Sequence, residues 1–152
     1  LILWYILSTL FIAPYYISYF NEFIGPENGY RYLTNQDQGQ DLKRLNVYLQ
    51  KNNITNVKLD YMGFTDIKYW EENYGINYEV LNCTPSSGYL AISISRLQGD
   101  FWNKTPPTED LNCYAWLHKF EPIAKIGYTF FVYNITEDDL KILKEKEMII
   151  ND

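Results

Sequence analysis

At 152 residues and 47% hydrophobic composition, the chain is long enough to bury one core and too short for two of ordinary size. Its net charge of −6 and the scatter of its 13 Lys and Arg residues leave no basic cluster, which excludes the phosphate-neutralising surface that nucleic-acid binding needs. The 15 Tyr, 8 Phe and 4 Trp supply more ring surface than most soluble domains of this size carry.

Residues 1–20 contain no charged side chain. A membrane-spanning helix takes roughly 20 apolar residues. Pro14 lacks the amide proton and clashes with the preceding turn, so the clean helix is expected over residues 1–13, about 20 Å long. That is too short to span. Because the chain opens on Leu1 rather than Met, it is expected to begin partway through a longer protein, inside the last membrane helix. A secretory signal would carry a basic n-region and a small-residue cleavage site, and neither is present. A helix buried in a soluble domain is the other reading. The aromatic residues Trp4, Tyr5, Tyr15, Tyr16, Tyr19 and Phe20 favour a membrane boundary.

The turn-rich run 25–29, Gly-Pro-Glu-Asn-Gly, marks the change to a globular pattern. Residues 1–24 are therefore expected to form the helix end and a membrane-proximal segment, and residues 25–152 one domain. Within it, Leu42, Leu45, Tyr48 and Leu49 share one face of a helix predicted over 37–51. Asp37 and Gln40 have capping-box spacing, and Asp41 adds charge to the first turn. Val57, Leu59 and Tyr61 alternate with Lys58 and Asp60 as in a half-buried strand. A short helix follows over 66–73, ending near Gly75, and strands are predicted over 77–81 and 89–95. Thr108 opens a predicted helix to His118. The apolar run 126–133 suits a central strand buried on both faces. Thr136 and Asp139 then form a second capping-box pattern ahead of a charged helix reaching about residue 146. Helices interleaved with short strands predict an α/β fold, a mixed sheet with flanking helices, preceded by the end of a transmembrane helix.

Cys83 and Cys113 have no zinc-ligand spacing; they are either a disulfide or two buried thiols. N-x-T sequons at Asn53, Asn82, Asn103 and Asn134 exceed what chance gives a chain with 14 Asn, which leans toward an extracytoplasmic face. Pro106 makes Asn103 the poorer acceptor.

The densest polar stretch is 34–41, at the entry to the first domain helix. Asp37 and Asp41 sit four apart, a spacing that serves acid/base or metal chemistry, and equally serves helix capping and dipole compensation. Arg31 and Arg96 are candidates for bidentate phosphate contacts, or for surface ion pairs. His118 shares a helix face with Leu111, Tyr114 and Ala115 and reads as a packed or edge residue. Trp70, Trp102 and Trp116 are read as core residues in at least two cases, with a sugar platform as the alternative.

The blocks Pro14-Tyr15-Tyr16-Ile17-Ser18-Tyr19-Phe20-Asn21-Glu22, Gly25-Pro26, Asn28-Gly29-Tyr30-Arg31-Tyr32-Leu33 and Asp37-x-Gly39-Gln40-Asp41-Leu42 resemble glycosyltransferase family 39 proteins. These are membrane enzymes similar to dolichyl-phosphate-mannose protein mannosyltransferases. The blocks Ala91-Ile92-Ser93-x-x-Arg96-Leu97-Gln98-Gly99, Trp116-Leu117, Glu121-Pro122 and Ile126-Gly127-Tyr128 look like the same family's C-terminal pattern. Gln38 stands where the family often has Trp. The resemblance implies a parent protein in which a bundle of membrane helices binds a polyprenyl-phosphate-linked sugar and transfers the sugar to an acceptor on the outer face. It implies that the catalytic carboxylate lies in an early loop that no part of this chain matches, so this region is expected to be accessory rather than catalytic. Its expected partners are the rest of the membrane bundle, the lipid bilayer and, through the parent, donor and acceptor. Its expected location is the cell membrane, with 25–152 outside the cytoplasm. Asn35, Asp37, Gln40, Asp41, Arg31 and Arg96 are the residues expected to contact substrate or acceptor. A non-catalytic extracellular module binding glycan or protein is the alternative.

Overall fold

Leucines 42, 45 and 49 recur at helical spacing, and in the computed structural model all three are fully buried on one face of a five-stranded sheet. The structure describes residues 2–19, 21, 23–25, 28–31, 38–99 and 113–150. Helix α1 (Ile2–Ile12) precedes a 3₁₀ turn (Tyr16–Ser18), a second 3₁₀ turn (Gly29–Arg31) and the domain proper. Helix α2 (Leu42–Lys51) leads into strand β1 (Asn56–Asp60), whose inward residues Val57 and Leu59 are buried. Helix α3 (Ile67–Tyr74) starts on Asp66, whose carboxylate accepts the Lys68 amide at 3.0 Å, and stops at Gly75 in the left-handed conformation. Both limits follow from the side chains available there. Strands β2 (Asn77–Val80) and β3 (Gly88–Ser93), helix α4 (Ile94–Leu97), a 3₁₀ turn (Ala115–Lys119), strands β4 (Ala124–Ile126) and β5 (Phe130–Ile135), and helix α5 (Glu137–Ile150) complete the order.

The sheet order is β2-β1-β3-β5-β4. β1 runs parallel to β2 and β3, while β5 is antiparallel to β3 and β4. The expected mixed α/β sheet with flanking helices is what forms. Alternation along β5 sends Phe130 and Val132 to one face and Phe131, Tyr133 and Ile135 to the other. The first face packs against α2 and α3; the second packs against α4, the Ala115–Lys119 turn and Leu143 of α5. Fully burying each α2 leucine contributes roughly 1.5–3 kcal/mol.

Three expected elements differ. The run 126–133 is two strands, because Gly127 and Tyr128 take positive φ (60° and 67°) and turn the chain between β4 and β5. The strand expected over 89–95 ends at Ser93, where α4 begins. Of the helix expected over 108–118, residues 108–112 lie outside the described set and 115–119 form a 3₁₀ turn. Cys83 and Cys113 are bonded as a disulfide, resolving the alternative left by the sequence. No helix among the described residues is long and apolar enough to cross a membrane.

Candidate functional site

The parallel strands β1 and β3 end side by side, at Asp60 and Ser93, and the chain leaves them in opposite directions, toward β2 and toward β5. Such a switch point is where open α/β sheets form a crevice at the carboxyl ends of their strands. The N-terminus of α2, the 127–129 turn, α4 and the loop after β1 all meet at this edge. The Met62 amide donates to Ser93 Oγ at 3.2 Å, and the Ile94 amide donates to Thr129 O at 2.9 Å.

Asp41 is the centre of the first cluster. Its side chain is 1% exposed, although it stands at the start of a helix. The expected role was helix capping or charge at the first turn. Instead its carboxylate makes no cap bond; it accepts the Thr129 hydroxyl at 2.7 Å and pairs with the Arg44 guanidinium. A Cβ at Gly127 would fall inside this carboxyl group, so only glycine lets the β4–β5 turn close over Asp41. Burial pushes the Asp41 carboxyl above the ordinary carboxylate range, opposed by the Thr129 hydrogen bond and by Arg44.

The same cluster receives the segment that follows α1. The Arg44 guanidinium lies 4.5 Å from the Tyr15 ring centroid, and Tyr15 meets Tyr128 edge-on at 4.9 Å. Buried Ser18 donates to Gly127 O at 3.4 Å. A shallow groove opens beside this contact, lined by Tyr15, Gln40, Lys43, Arg44, Val47 and Ile126. Gln40 also accepts the Gln38 amide at 2.7 Å, which shapes the entry to α2.

Arg96 belongs to a second cluster on the other side of the edge. Its Nε lies 3.2 Å from Asp60 Oδ1. Tyr114 Oη lies 2.7 Å from Asp60 Oδ2 and 2.8 Å from Leu81 O, so one phenolic proton serves two acceptors. Burial first, and Asp60 second, raise the Tyr114 pKa, and the phenol stays neutral. The Cys83–Cys113 disulfide lies beside both Leu81 and Tyr114 in the chain and staples this corner.

Of the six expected residues, Gln40 and Asp41 share the first cluster and Arg96 stands in the second. Arg31 is exposed on the Gly29–Arg31 turn, and Asn35 and Asp37 lie outside the described residues. Arg96 pairs with the Asp60 carboxylate, as the ion-pair alternative has it. Arg44, Asp60, Tyr114, Gly127 and Thr129 were not anticipated as site residues. Asp60 did carry a signal: it closes β1. Trp116 is buried in the core and Trp70, on α3, is partly buried against it, while Trp102 is outside the described set. His118 is exposed at the edge of its turn. Among the described residues no three His, Cys, Asp or Glu side chains converge to hold a metal ion. No family model, curated protein or solved structure matches the chain.

Proposed function

We propose that this chain is the C-terminal extracytoplasmic part of an integral membrane glycosyltransferase, which transfers a sugar from a polyprenyl-phosphate donor to an acceptor, and that this part is accessory. The observation that carries the reading is α1. Its residues Ile2, Leu3, Trp4, Tyr5, Ile6, Leu7, Leu10 and Phe11 are 43–87% exposed on all sides, and Ile12 alone is buried. A helix apolar all round is stable inside protein or lipid, not in water. The domain leaves α1 uncovered, which suits burial among the parent's membrane helices. The resemblance to family 39 supplies the chemistry of the reading. The described residues of its blocks at 14–22, 37–42, 91–99 and 126–128 lie far apart in sequence, and Tyr15, Ser18, Asp41, Ile94 and Gly127 among them come together at the edge that joins α1 to the domain. Asp41, Arg44 and Arg96 each hold an intramolecular partner, which suits a positioning role for the edge.

The test is transfer from a polyprenyl-phosphate-linked sugar by three preparations: the full-length parent, the parent lacking residues 25–152, and the purified domain. The expected result is transfer by the parent, a large loss on deletion with the membrane part still folded, and none by the domain. Turnover by the isolated domain overturns the accessory role; an inactive full-length parent overturns the activity.

A further inference from the structure

The edge opposite the candidate site carries a feature that the proposed function does not use. At the amino end of β1, the chain leaves α2 through Asn52 and Asn53, and Asn53 takes a left-handed conformation with φ 55°. Asn53-Ile54-Thr55 is an N-x-T sequon. Ile54 is buried, with its amide donating to Leu49 O at 2.9 Å, and this anchors the loop from beneath. Asn53 and Thr55 on either side are exposed. The neighbouring Asn52 side chain is tied back to Tyr48 O at 2.8 Å, whereas Asn53 donates its backbone amide to Gln50 O at 3.1 Å and no hydrogen bond among the described residues engages its side-chain amide.

The other described sequons are encumbered. Cys83, the middle residue of the Asn82 sequon, is held in the disulfide. Asn134 sits within β5 opposite Tyr89, and the Thr136 hydroxyl of its sequon is committed to Asp139, donating at 2.6 Å and accepting the Asp139 amide at 3.1 Å. At Asn53 the Thr55 hydroxyl accepts only a long bond, 3.3 Å from Asn56 Nδ2, and keeps its proton available. The loop also points away from the edge that receives Tyr15 and Ser18, so a bulky polar group there meets neither that segment nor the sheet.

We infer that Asn53 is an N-linked glycan acceptor. The inference rests on the extracytoplasmic placement proposed above, with which a disulfide-bonded domain agrees. The co-substrate is a lipid-phosphate- or lipid-pyrophosphate-linked oligosaccharide, used by a separate membrane oligosaccharyltransferase. Asn53 Nδ2 attacks the anomeric carbon of the sugar; the N–C bond forms as the C–O bond to the lipid phosphate breaks. The lipid phosphate leaves with the electron pair and the amide gives up one proton, with no change of oxidation state.

Cleavage after Lys51 and Lys58 isolates the acceptor in peptide 52–58. The experiment is mass spectrometry of that peptide from the full-length protein in its native membranes, before and after enzymatic glycan release in heavy-oxygen water. In parallel, a membrane-impermeant amine reagent applied to intact cells reports the side on which Lys141 lies. The expected result is a glycan on peptide 52–58, near-complete loss of it in Asn53→Gln and Thr55→Ala, and its retention in Thr55→Ser. An unmodified peptide with Lys141 labelled from outside overturns the acceptor assignment and leaves the proposed function standing. An unmodified peptide with Lys141 shielded overturns the placement and the acceptor together. A glycan confined to Asn82 or Asn134 overturns the choice of Asn53.

Discussion

Gly127 shows how a single position can govern the edge on which the candidate site lies. Its φ of 60° falls where an L side chain is strained, and its missing side chain leaves the space that the Asp41 carboxyl fills. Gly127→Ala should therefore destabilise the protein through backbone strain, by about 1–3 kcal/mol, and through collision with a group that is itself fully buried. Denaturant unfolding measures it, with a lowered midpoint and an unchanged slope as the expected outcome. Gly75→Ala is the comparison, because Gly75 has a similar φ of 65° with open space where a Cβ would go. Gly127→Ala should cost the more of the two; equal losses would mean that the Asp41 contact carries no energy of its own. None of this was legible in the apolar run 126–133. Periodicity registers a glycine as a small residue in a strand, whereas its partner here lies far away in sequence, at the start of α2.

Helices whose limits are set by neighbouring side chains were legible; those whose limits are set by tertiary contacts were not. Asp66 and Gly75 bracket α3 as the sequence indicates, and Thr136 and Asp139 form the reciprocal box ahead of α5. The Thr136 amide donates to Asp139 Oδ2 at 2.9 Å while Thr136 Oγ1 accepts the Asp139 amide. Thr136→Ala should cost about 1 kcal/mol through loss of this cap. The Thr136 hydroxyl and amide also hold the Asp139 carboxyl below the ordinary carboxylate range. A carboxylate with a depressed folded pKa contributes stability above its unfolded value, and that contribution is lost as pH falls through the folded one. The difference between wild type and Thr136→Ala should thus be largest above the usual carboxylate pKa and shrink with acidification below it. Unfolding midpoints for the two proteins across that range check this; a difference that grows on acidification contradicts it. At α2 the same spacing argument fails. Asp41 occupies the cap position, yet its side chain turns to Thr129, and nothing local in 37–41 announces a partner on β5's approach. The α4 helix escaped notice for a related reason. It is one turn long, and its Ile94 and Leu97 are buried as deeply as the strand residues before them.

Across the whole molecule, the sheet separates two environments. At the carboxyl edge the strands present Asp60 and Ser93, α2 presents Asp41 and Arg44, and the segment leading out of α1 packs on the 127–128 turn. At the amino edge lie the α2–β1 loop and the start of β3, where Lys58 reaches Ser87 O at 3.0 Å. In the proposed function only the first edge faces the membrane bundle, and the few contacts made by Tyr15 and Ser18 fix the angle at which it does so. Tyr15 makes two of them, the ring face beneath Arg44 and the edge-on contact with Tyr128. It adds little to the core, so Tyr15→Ala should leave the unfolding midpoint of the domain nearly unchanged. The orientation of the domain over the bundle should nevertheless loosen. Misplacement of about 1 Å at a reacting centre can lower a rate up to roughly a hundredfold, so transfer by the full-length Tyr15→Ala protein should fall by roughly ten- to a hundredfold. Asn56→Ala, an exposed change at the amino edge, should leave it unaltered. Arg44→Ala removes one of the two Tyr15 contacts and should give an intermediate rate. Combined with Tyr15→Ala it should add little, because neighbouring residues acting through one contact are not additive. Full activity in the Tyr15→Ala protein, measured beside an unaltered melting curve, would show that the angle of the domain does not matter to transfer.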